Sequence, residues 1–368
     1  MSLLRSKKLF LLTIILSIAL VAAGCGGGGD NQPQGEEKMK VAFMYVGPVG
    51  DGGWNYAHDQ GRQYLESQLG NVETTYIESV PGDATAEQVL TRLAEEGNKV
   101  IFSTSFGFMD YTLKVAEKYP DVVFLHCSGY KTAENVGTYF GRMYQARYLT
   151  GIAAGKATGS NLIGYVAAHP IPEVIRGINA FTLGVRSVNP EAKVKVVWTN
   201  TWYDPAKEKD AAKVLLDDGA DVIAQHQDTP GPQQAAQERG KLGIGYNSDM
   251  SAFAPNAVMT SAVWNWGPYY VDTVKAVQDG AWKSSEYWGP MSENIVNLAP
   301  YGPMVTDEVK QLIEEEKGKI LSGSWDVFYG PIMNQQGELV VAEGESMTDR
   351  EMLEMMWFVQ GVEGTIPN

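Results

Sequence analysis

The sequence predicts an α/β fold built from two successive, mainly parallel β-sheets. Short apolar segments alternate with segments of helical periodicity along most of the chain, a pattern typical of βαβ units. The apolar segments are hydrophobic throughout rather than at every second residue, which indicates strands that helices cover on both faces. The alternation starts near Val41 and again near Leu162, so the roughly 340 residues after the N-terminal leader are expected to form two domains.

The first series of elements extends to about residue 140. Strands are predicted at 41–46, 72–78, 100–104 and 122–127. Helices are predicted at about 56–69, 85–96 and 110–118. Gly97 and Pro120 end two of these helices, as glycine and proline commonly do. The segment Gly137–Gly141 is expected to leave this sheet.

The second series begins with a helix that starts near Arg142 and contains small residues suited to close packing. Strands are predicted at 162–168, 194–199, 222–227, 244–247, 258–263 and 295–298. Helices are predicted at 173–187, 205–217, from near Gln233, at 269–278 and at 306–321. Residues 338–368 carry no recognisable chemistry and are expected to pack on the second domain.

The segment 41–62 joins a buried strand to a helix through a glycine-rich turn. Asp51 can cap that helix, and Trp54 and Asn55 fall in its first turn. Open α/β sheets bind their ligands at the carboxyl ends of the strands. The turn therefore predicts a ligand site with an aromatic ring, a carboxylate and an amide. The alternative that Trp54 is a core residue and Asp51 only a helix cap stays open.

This glycine-rich turn differs from a phosphate-binding loop. Its order G-x-x-G-x-G-G matches neither the dinucleotide fingerprint nor the P-loop, and no Lys-Ser or Lys-Thr follows. Asp51 would also repel a phosphate. A neutral planar ligand that stacks on Trp54 and forms hydrogen bonds with Asp51 and Asn55 fits these residue types better.

The N-terminal residues 1–24 are predicted to be a signal peptide. Basic residues precede the apolar run Leu9–Val21, which is too short to be a membrane span, and Ala22-Ala23-Gly24-Cys25 follows. This resembles the signal of a bacterial lipoprotein, which implies cleavage before Cys25, lipidation of its thiol and anchoring on the extracytoplasmic face of the cell membrane. An ordinary signal peptide with an incidental cysteine is the alternative. Residues 25–38 are expected to be a flexible tether.

Composition and motif spacing argue against several classes of protein. A net charge of −15 makes the chain a poor nucleic-acid binder. With Cys25 lipidated, Cys127 has no disulfide partner within the chain, and the four histidines show no metal-binding spacing, so no metal site or cofactor is predicted. The sequence has no G-x-S-x-G motif and no recognisable nucleophile, base and acid set. An enzyme such as a nucleoside hydrolase is therefore the less favoured alternative.

A series of motifs stands in an order that one known family shares. The motifs are Asp51-Gly-Gly-Trp-Asn55, Gly141-Arg-Met-Tyr-Gln-Ala-Arg-Tyr-Leu-Thr-Gly151, Gly177 to Pro190, Asp204-Pro205, Gly219-Ala-Asp-Val222, Ser248-Asp249 and Thr260-Ser-Ala-Val263. With them the chain resembles the basic membrane protein family of bacterial lipoproteins, substrate-binding components of ABC importers, and within it the purine nucleoside-binding PnrA-like group.

The resemblance implies the type I periplasmic-binding-protein fold, in which two Rossmann-like lobes with three crossover segments enclose a central cleft. Lobe 1 would comprise residues 39–140 and about 265–296, and lobe 2 would comprise residues 141–264 and about 297–368. The lobes are expected to close on the ligand by hinge bending. The closed form is then expected to dock on ABC permease subunits. A receptor-type lipoprotein that signals instead of feeding an importer is an alternative.

The resemblance also implies roles for individual residues. Asp51 would hydrogen-bond a base, Trp54 would stack on it, Asn55 matches the polar residue that follows, and Asp249 would hold a ribose. Where nucleoside binders tend to have Lys, this chain has Trp264. Losing that charged donor would weaken ribose binding by about 1.5–3 kcal/mol. We therefore expect a free nucleobase rather than a nucleoside, or another heterocycle such as a flavin, while Trp264 as a core residue stays open.

Further candidate ligand-binding residues follow other predicted strands. The ring-bearing candidates are Phe106, Phe108, His169, Trp202, Trp264 and Trp266. The polar candidates are Arg142, Gln227 and Asp228. At a strand end, a core position is an equally good interpretation for Phe106 and Phe108. A ring from Trp202, Phe108, Trp264 or Trp266 is expected to face Trp54 across the ligand.

Overall fold

The computed structural model describes residues 38–367. The predicted signal peptide 1–24, the predicted lipidation site Cys25 and nearly all of the tether 25–38 therefore lie outside the described residues. The described part consists of two large sheets with helices against their faces and one small hairpin. The predicted α/β class is confirmed, because all but one of the strand pairings in the two large sheets are parallel.

Ten of the fifteen strands in the described residues follow predicted apolar segments, and five were not predicted as strands. The fifteen strands are β1 (Met39–Met44), β2 (Val72–Ile77), β3 (Val100–Ser103), β4 (Val123–Cys127), β5 (Val136–Gly141), β6 (Leu162–Ala167), β7 (Lys193–Trp198), β8 (Val222–His226), β9 (Leu242–Asn247), β10 (Val258–Trp264), β11 (Glu286–Gly289), β12 (Val296–Leu298), β13 (Ile332–Met333), β14 (Leu339–Val341) and β15 (Val362–Glu363).

The helices connect these strands in the expected alternation. They are α1 (Trp54–Gln68), α2 (Ala84–Glu95), α3 (Met109–Ala116), α4 (Met143–Ala157), α5 (Pro172–Val188), α6 (Pro205–Asp217), α7 (Gly231–Glu238), α8 (Trp266–Gln278), α9 (Asp307–Leu321) and α10 (Asp349–Leu353). Within residues 38–367, none of them carries an apolar stretch long enough to cross a bilayer.

The first sheet has the strand order β2-β1-β3-β4-β5-β11. Gly137–Gly141 lies inside β5, between β4 and β11, so the expectation that this segment leaves the sheet was wrong. The strand β11 was not predicted. It pairs with β5 at the sheet edge, where its residues Glu286–Trp288 are exposed or only partly buried. An edge strand of this kind lacks the apolar run by which a central strand is recognised.

The second sheet has the strand order β15-β7-β6-β8-β9-β10-β12, and only β12 runs antiparallel to its neighbour. In both sheets the first strand in the chain lies between the second and the third, so the strand order reverses beside β1 and again beside β6. Ligands of open α/β sheets bind in the crevice at such reversals, outside the carboxyl ends of the strands. The fold thus offers two crevices, one on each sheet.

The chain crosses between the sheets three times. It passes from β5 to β6 through α4, from β10 to β11 through α8, and directly from β11 to β12. These are the three crossover segments that the resemblance implied, and they are confirmed. The lobe boundaries proposed from the sequence, near residues 141, 265 and 297, stay predictions.

Helices α4 and α5 pack with their backbones in close contact. A Cβ on Gly151 of α4 would collide with the carbonyl oxygen of Phe181, and a Cβ on Gly184 of α5 would collide with that of Tyr148. Glycine at both positions therefore permits an approach that any side chain would prevent.

The C-terminal segment packs on the second sheet and on α5. Strand β15 pairs with β7, Arg176 donates to the carbonyl of Met352 at 2.8 Å, and the Asn179 amide donates to that of Trp357 at 2.8 Å. These contacts cover the face of α5 that would otherwise expose a buried guanidinium and a buried amide.

Candidate ligand-binding site

A cleft lies between the carboxyl ends of strands from the two sheets. Residues that follow or end strands of the first sheet line one side: Val46, Trp54, Ser105, Phe106 and Ser128. Residues of the second sheet and its loops line the other: Glu173, Trp202, His226, Asp228 and Tyr246.

An open groove of about 1760 Å³ adjoins the cleft. Phe106, Ser128 and Glu173 line both spaces. The groove runs past the edge strand β11 and the short helix α10, whose Trp288 and Leu353 form part of its wall. The groove and the cleft are therefore direct neighbours.

Trp54 is the first residue of α1, and its indole is fixed from several directions. Its Nε1 donates to the carbonyl of Thr104 at 2.7 Å, and its ring meets Trp264 and Trp266 edge-to-face with centroids 5.8 and 5.9 Å apart. Only 8% of the residue is exposed, yet it lines the cleft. The two interpretations of Trp54 from the sequence are therefore compatible, since one side of it belongs to the core and another to the cleft.

Two further aromatic rings line the cleft. Phe106 follows β3 of the first sheet and is partly exposed. Trp202 follows β7 of the second sheet, is partly exposed, and lies 5.0 Å from the ring of His169, centroid to centroid. His169 is thus a neighbour of the cleft wall. Together these rings give the cleft aromatic surface from both sheets.

Asp228 is the carboxylic acid with the fewest compensating contacts in the cleft. It is only 5% exposed, and within residues 38–367 no hydrogen bond to its carboxyl oxygens is found. Burial raises the pKa of this carboxyl well above its usual range, and the nearby acids Asp51, Glu208 and Glu173 raise it further. A buried acceptor of this kind gains most from a donor that enters the cleft.

Asp51 and Asn55, which the sequence placed in the site, instead build the start of α1. The Asp51 carboxylate accepts hydrogen bonds from the backbone of Gly53, Asn55 and Tyr56 at 2.8–2.9 Å and from the Asn55 amide at 2.7 Å. The Asn55 carbonyl accepts from Gly47 at 3.1 Å. The first N–H groups of a helix lack partners within it, and Asp51 satisfies them. Neither residue lines the cleft. Burial raises the pKa of Asp51, although these hydrogen bonds oppose the rise.

The glycine-rich loop also contacts the second sheet's loops. The Ser248 hydroxyl donates to the carbonyl of Gly52, and Gly53 lies so close to Asp228 that a Cβ would collide with its carbonyl oxygen. Gly52 has a φ of +74°, which favours glycine. The glycines predicted as a turn thus permit a close contact between the loops of the two sheets beside Asp228.

Three other predicted ring residues lie in the core behind the cleft. Trp264 donates from Nε1 to the Asn247 side chain at 2.9 Å, and Trp266 is 1% exposed and stacks on His58 with centroids 4.6 Å apart. Phe108 is fully buried in a separate cluster beneath α2 and α3. Trp264 and Trp266 follow β10 into α8, so their rings support Trp54 from the rear.

Three predicted polar residues lie away from the cleft because other groups of the protein engage them. Arg142 makes a bidentate ion pair with Asp349, at 2.7 and 2.6 Å, and lies over the ring of Trp288. Asp249 is exposed and accepts from the backbone of Ser251 at 2.9 Å. Gln227 is fully buried, and its amide donates to the hydroxyl of Thr199.

Sequence reasoning missed three polar or aromatic residues of the second sheet's side. The His226 Nε2 lies 3.3 Å from the Glu173 carboxylate and 3.2 Å from the Tyr246 hydroxyl. Burial lowers the pKa of His226 to about 4, so the ring is neutral near pH 7. His226 and Tyr246 lie near the carboxyl ends of predicted strands, and Glu173 begins the helix that follows another. A search for polar and aromatic residues at the carboxyl end of every predicted strand, and in the connection after it, would have included all three.

The cleft is suited to non-covalent binding of a flat polar molecule. It offers ring faces from both sheets, two carboxyl groups and a neutral histidine. Within residues 38–367, no group of three or more His, Cys, Asp or Glu side chains is placed to hold a metal ion.

Comparison with known proteins gives a family and two informative relatives. Residues 38–325 match the model of the Bmp family, described as ABC transporter substrate-binding protein PnrA-like. A purine-binding protein of Brucella abortus is 48% identical over 351 residues, which cover 95% of this chain and 99% of that protein. A putative ABC transporter glucose-binding protein of Haloferax volcanii is 43% identical over 343 residues, covering 93% of this chain and 84% of that protein.

Solved structures of ABC transporter solute-binding proteins share the fold. One from Aeropyrum pernix K1 superposes with a TM-score of 0.69 at 22% identity, covering 80% of this chain and 93% of that chain. Another, from Conexibacter woesei, gives a TM-score of 0.64 at 23% identity, covering 78% and 98%. These likenesses confirm the type I periplasmic-binding-protein fold.

Proposed function

The chain belongs to the Bmp family of PnrA-like ABC transporter substrate-binding proteins, and we propose that it captures a purine, with a free nucleobase preferred over a nucleoside. The family predicted from the sequence is thereby confirmed. Proteins of this family and fold are solute-binding proteins and not enzymes. They act outside the cytoplasm, bind a small molecule and have ABC permease subunits as partners.

One observation carries the purine proposal: aromatic rings from both sheets border the same cleft as a buried carboxyl without a partner. Trp54, Phe106 and Trp202 offer faces for a planar ring, and stacking of a base on an aromatic side chain is worth about 1–3 kcal/mol. Asp228 offers an acceptor for a ring N–H. The Brucella abortus relative, named for purine binding, supports the same ligand class.

The preference for a free base rests on what the cleft wall lacks. Among residues 38–367, the residues that line the cleft include no lysine or arginine, so a ribose in the cleft would find no charged donor on its wall. Asp249, which would hold a ribose by the family resemblance, is exposed and turned to its own loop. The Trp264 that replaces the family's lysine is buried and bonded to Asn247. A ribose would thus lose polar contacts that a base does not need.

We further propose that the two lobes close over the ligand and that Cys25 carries a lipid anchor. The contacts of Gly52 with Ser248 and of Gly53 with Asp228 join loops of the two sheets beside the cleft, as closure would require. A receptor that signals from the closed state, and a site for another heterocycle such as a flavin, would use the same cleft.

A sugar is the second candidate ligand, because the Haloferax volcanii relative is named for glucose binding. Carboxylates and aromatic rings also bind sugars, so the two ligand classes must be separated by experiment. Mass spectrometry of the small molecules released by denaturing the purified protein comes first. Calorimetry with adenine, hypoxanthine, inosine, adenosine, riboflavin and glucose follows.

The proposal expects a co-purifying or added nucleobase to bind, and each nucleoside to bind at least about tenfold more weakly, the loss that 1.4 kcal/mol represents. Glucose and riboflavin should give no heat. Binding of glucose alone would overturn the purine proposal. Tighter binding of inosine than of hypoxanthine would overturn the preference for a free base while leaving the purine class standing.

A further inference from the structure

A second, small inner cavity adjoins the cleft, and Arg147 is one of the residues that line it. Glu173, His226 and Tyr246 line both the cleft and this inner cavity. The two spaces therefore share a wall of three side chains. Arg176 and Gly177 of α5 also line the inner cavity.

Arg147 is fully buried and incompletely paired. Its Nη1 donates to the carbonyl of Gln225 at 2.6 Å, and its guanidinium carbon lies 3.6 Å from the ring centroid of Tyr246. Its Nε and Nη2 have no hydrogen-bond partner within residues 38–367. Burying a charged donor without an acceptor is unfavourable, so this guanidinium is strongly disposed to accept a partner from the cavity.

The walls of the inner cavity are rich in donors and poor in acceptors. Two guanidinium groups, Arg147 and Arg176, line it with a single carboxylate, Glu173. The Glu173 carboxylate already faces His226. A guest that supplies acceptor atoms fits these walls, and a guest that supplies an amino group does not.

We propose that the inner cavity is a subsite for the exocyclic oxygen of the ligand, so that the protein selects oxopurines such as hypoxanthine and guanine over adenine. This proposal rests on the purine-binding function proposed above. The O6 atom of an oxopurine is an acceptor of the kind that arginine recognises, whereas adenine presents an amino donor in its place. Within residues 38–367, Nε and Nη2 of Arg147 are donors without a partner that can bond this oxygen.

The two cavities then divide recognition of one ligand between them. The ring lies in the cleft among Trp54, Phe106 and Trp202, and Asp228 accepts a ring N–H. The oxygen passes Glu173, His226 and Tyr246 and reaches Arg147. A site built to bond an oxygen rejects an analogue that lacks it, because the buried donor is then left unpaired.

Calorimetry with hypoxanthine, adenine and unsubstituted purine tests this subsite. The wild-type protein should bind hypoxanthine at least tenfold more tightly than either of the other two. Arg147→Met should weaken hypoxanthine binding at least thirtyfold and change purine binding less than threefold. The ratio of the two affinities within one protein sample is the readout, because a partly unfolded sample lowers both signals together.

A second variant, Gly177→Ala, keeps the guanidinium of Arg147 and reduces the space in the inner cavity. A Cβ on Gly177 would lie 3.3 Å from the His226 Nδ1, so Gly177→Ala narrows the inner cavity from within α5. It should weaken hypoxanthine binding about three- to tenfold and leave purine binding within twofold. This variant decides the question if Arg147→Met does not fold.

The outcomes separate the two proposals. If no purine binds to the wild-type protein, the proposed function fails. If purines bind but hypoxanthine shows no advantage, or if Arg147→Met lowers the affinity for all three ligands equally, the subsite is overturned while purine binding stands.

Discussion

The two sides of the cleft differ in how many of their polar groups form hydrogen bonds within the protein. On the first sheet's side, Trp54 is hydrogen-bonded and supported by rings, and the Asp51 carboxylate accepts four hydrogen bonds. On the second sheet's side, Trp202 is partly exposed. In the described part of the chain, the Asp228 carboxyl has no hydrogen-bond partner, and behind it two donor nitrogens of Arg147 have none. The first side is therefore the more rigidly supported one, and the second side holds polar groups that the described residues leave without hydrogen-bond partners.

The largest effect is expected from Trp54→Ala, which removes the supported ring of the first sheet's side. Replacing a packed tryptophan by alanine costs about 3–5 kcal/mol of stability, so the ligand-free protein should melt well below the wild type and bind no purine. Differential scanning calorimetry and titration measure both effects. Trp54→Phe, which keeps a ring, is the matched control and should retain most of the stability. An unchanged melting temperature for Trp54→Ala would contradict the claim that Trp54 is a packed, stabilising residue of the first sheet's side.

Asp228→Asn tests the opposite side and should separate binding from stability. Losing a charged acceptor should weaken purine binding about 10–100-fold. In the wild type, the unfolded carboxyl ionises near pH 4, whereas burial raises the pKa of the folded one. Between those two pH values the unfolded state holds fewer protons, so wild-type stability falls as pH rises.

The asparagine variant lacks that ionisation. Its stability advantage over the wild type should therefore be absent below about pH 4 and should grow as pH rises. Denaturant titrations at a series of pH values measure this difference. A constant difference at all pH values would show that Asp228 does not titrate with a raised pKa.

Trp202→Ala should lose binding with little loss of stability. Removing one stacking ring is worth about 1–3 kcal/mol of affinity, which is about 5–150-fold in the dissociation constant. Because the ring is partly exposed, the free energy of unfolding should change by about 1 kcal/mol or less. Measuring Trp202→Ala beside Trp54→Ala is the most direct test of the difference between the two sides of the cleft. Equal losses of stability in the two variants would contradict that difference.

The smallest effect is expected at Arg142, which the sequence placed in the site and the structure pairs with Asp349 outside the cleft. Asp349 is largely exposed, and such ion pairs contribute about 0–1 kcal/mol. Arg142→Gln should leave purine affinity within twofold and stability nearly unchanged. Asp349→Asn is the control and should behave alike. A tenfold loss of purine affinity in Arg142→Gln but not in Asp349→Asn would show that Arg142 takes part in ligand binding.

The sequence predicted the fold well because buried parallel strands have a strong local signature. The apolar runs identified β1 to β4 and β6 to β10, whereas the edge strand β11 escaped because its side chains are polar or partly exposed. The same logic explains the partial prediction of the site. Trp54, Phe106, Trp202 and Asp228 follow strand ends, and this position is visible in the sequence.

What the sequence could not show is which polar groups the chain itself satisfies. Asp51 and Asp228 are both acids in glycine- or proline-containing loops after strands. Only the structure shows that the Asp51 carboxylate accepts hydrogen bonds from backbone N–H groups at the start of α1. Likewise, the inner cavity depends on how α4 and α5 pack, which joins residues about thirty positions apart. Local patterns carry no information on either point.

The close approach of α4 and α5 at Gly151 and Gly184 influences the width of the inner cavity. Arg147 projects from α4 and Gly177 belongs to α5, so the spacing of these two helices determines how large a substituent fits between them. A single methyl group at Gly151 or Gly184 would wedge the helices apart at a point that no ligand touches. If the inner cavity receives part of the ligand, a substitution at either of these glycines would change ligand preference although every residue that lines the cavity stays the same.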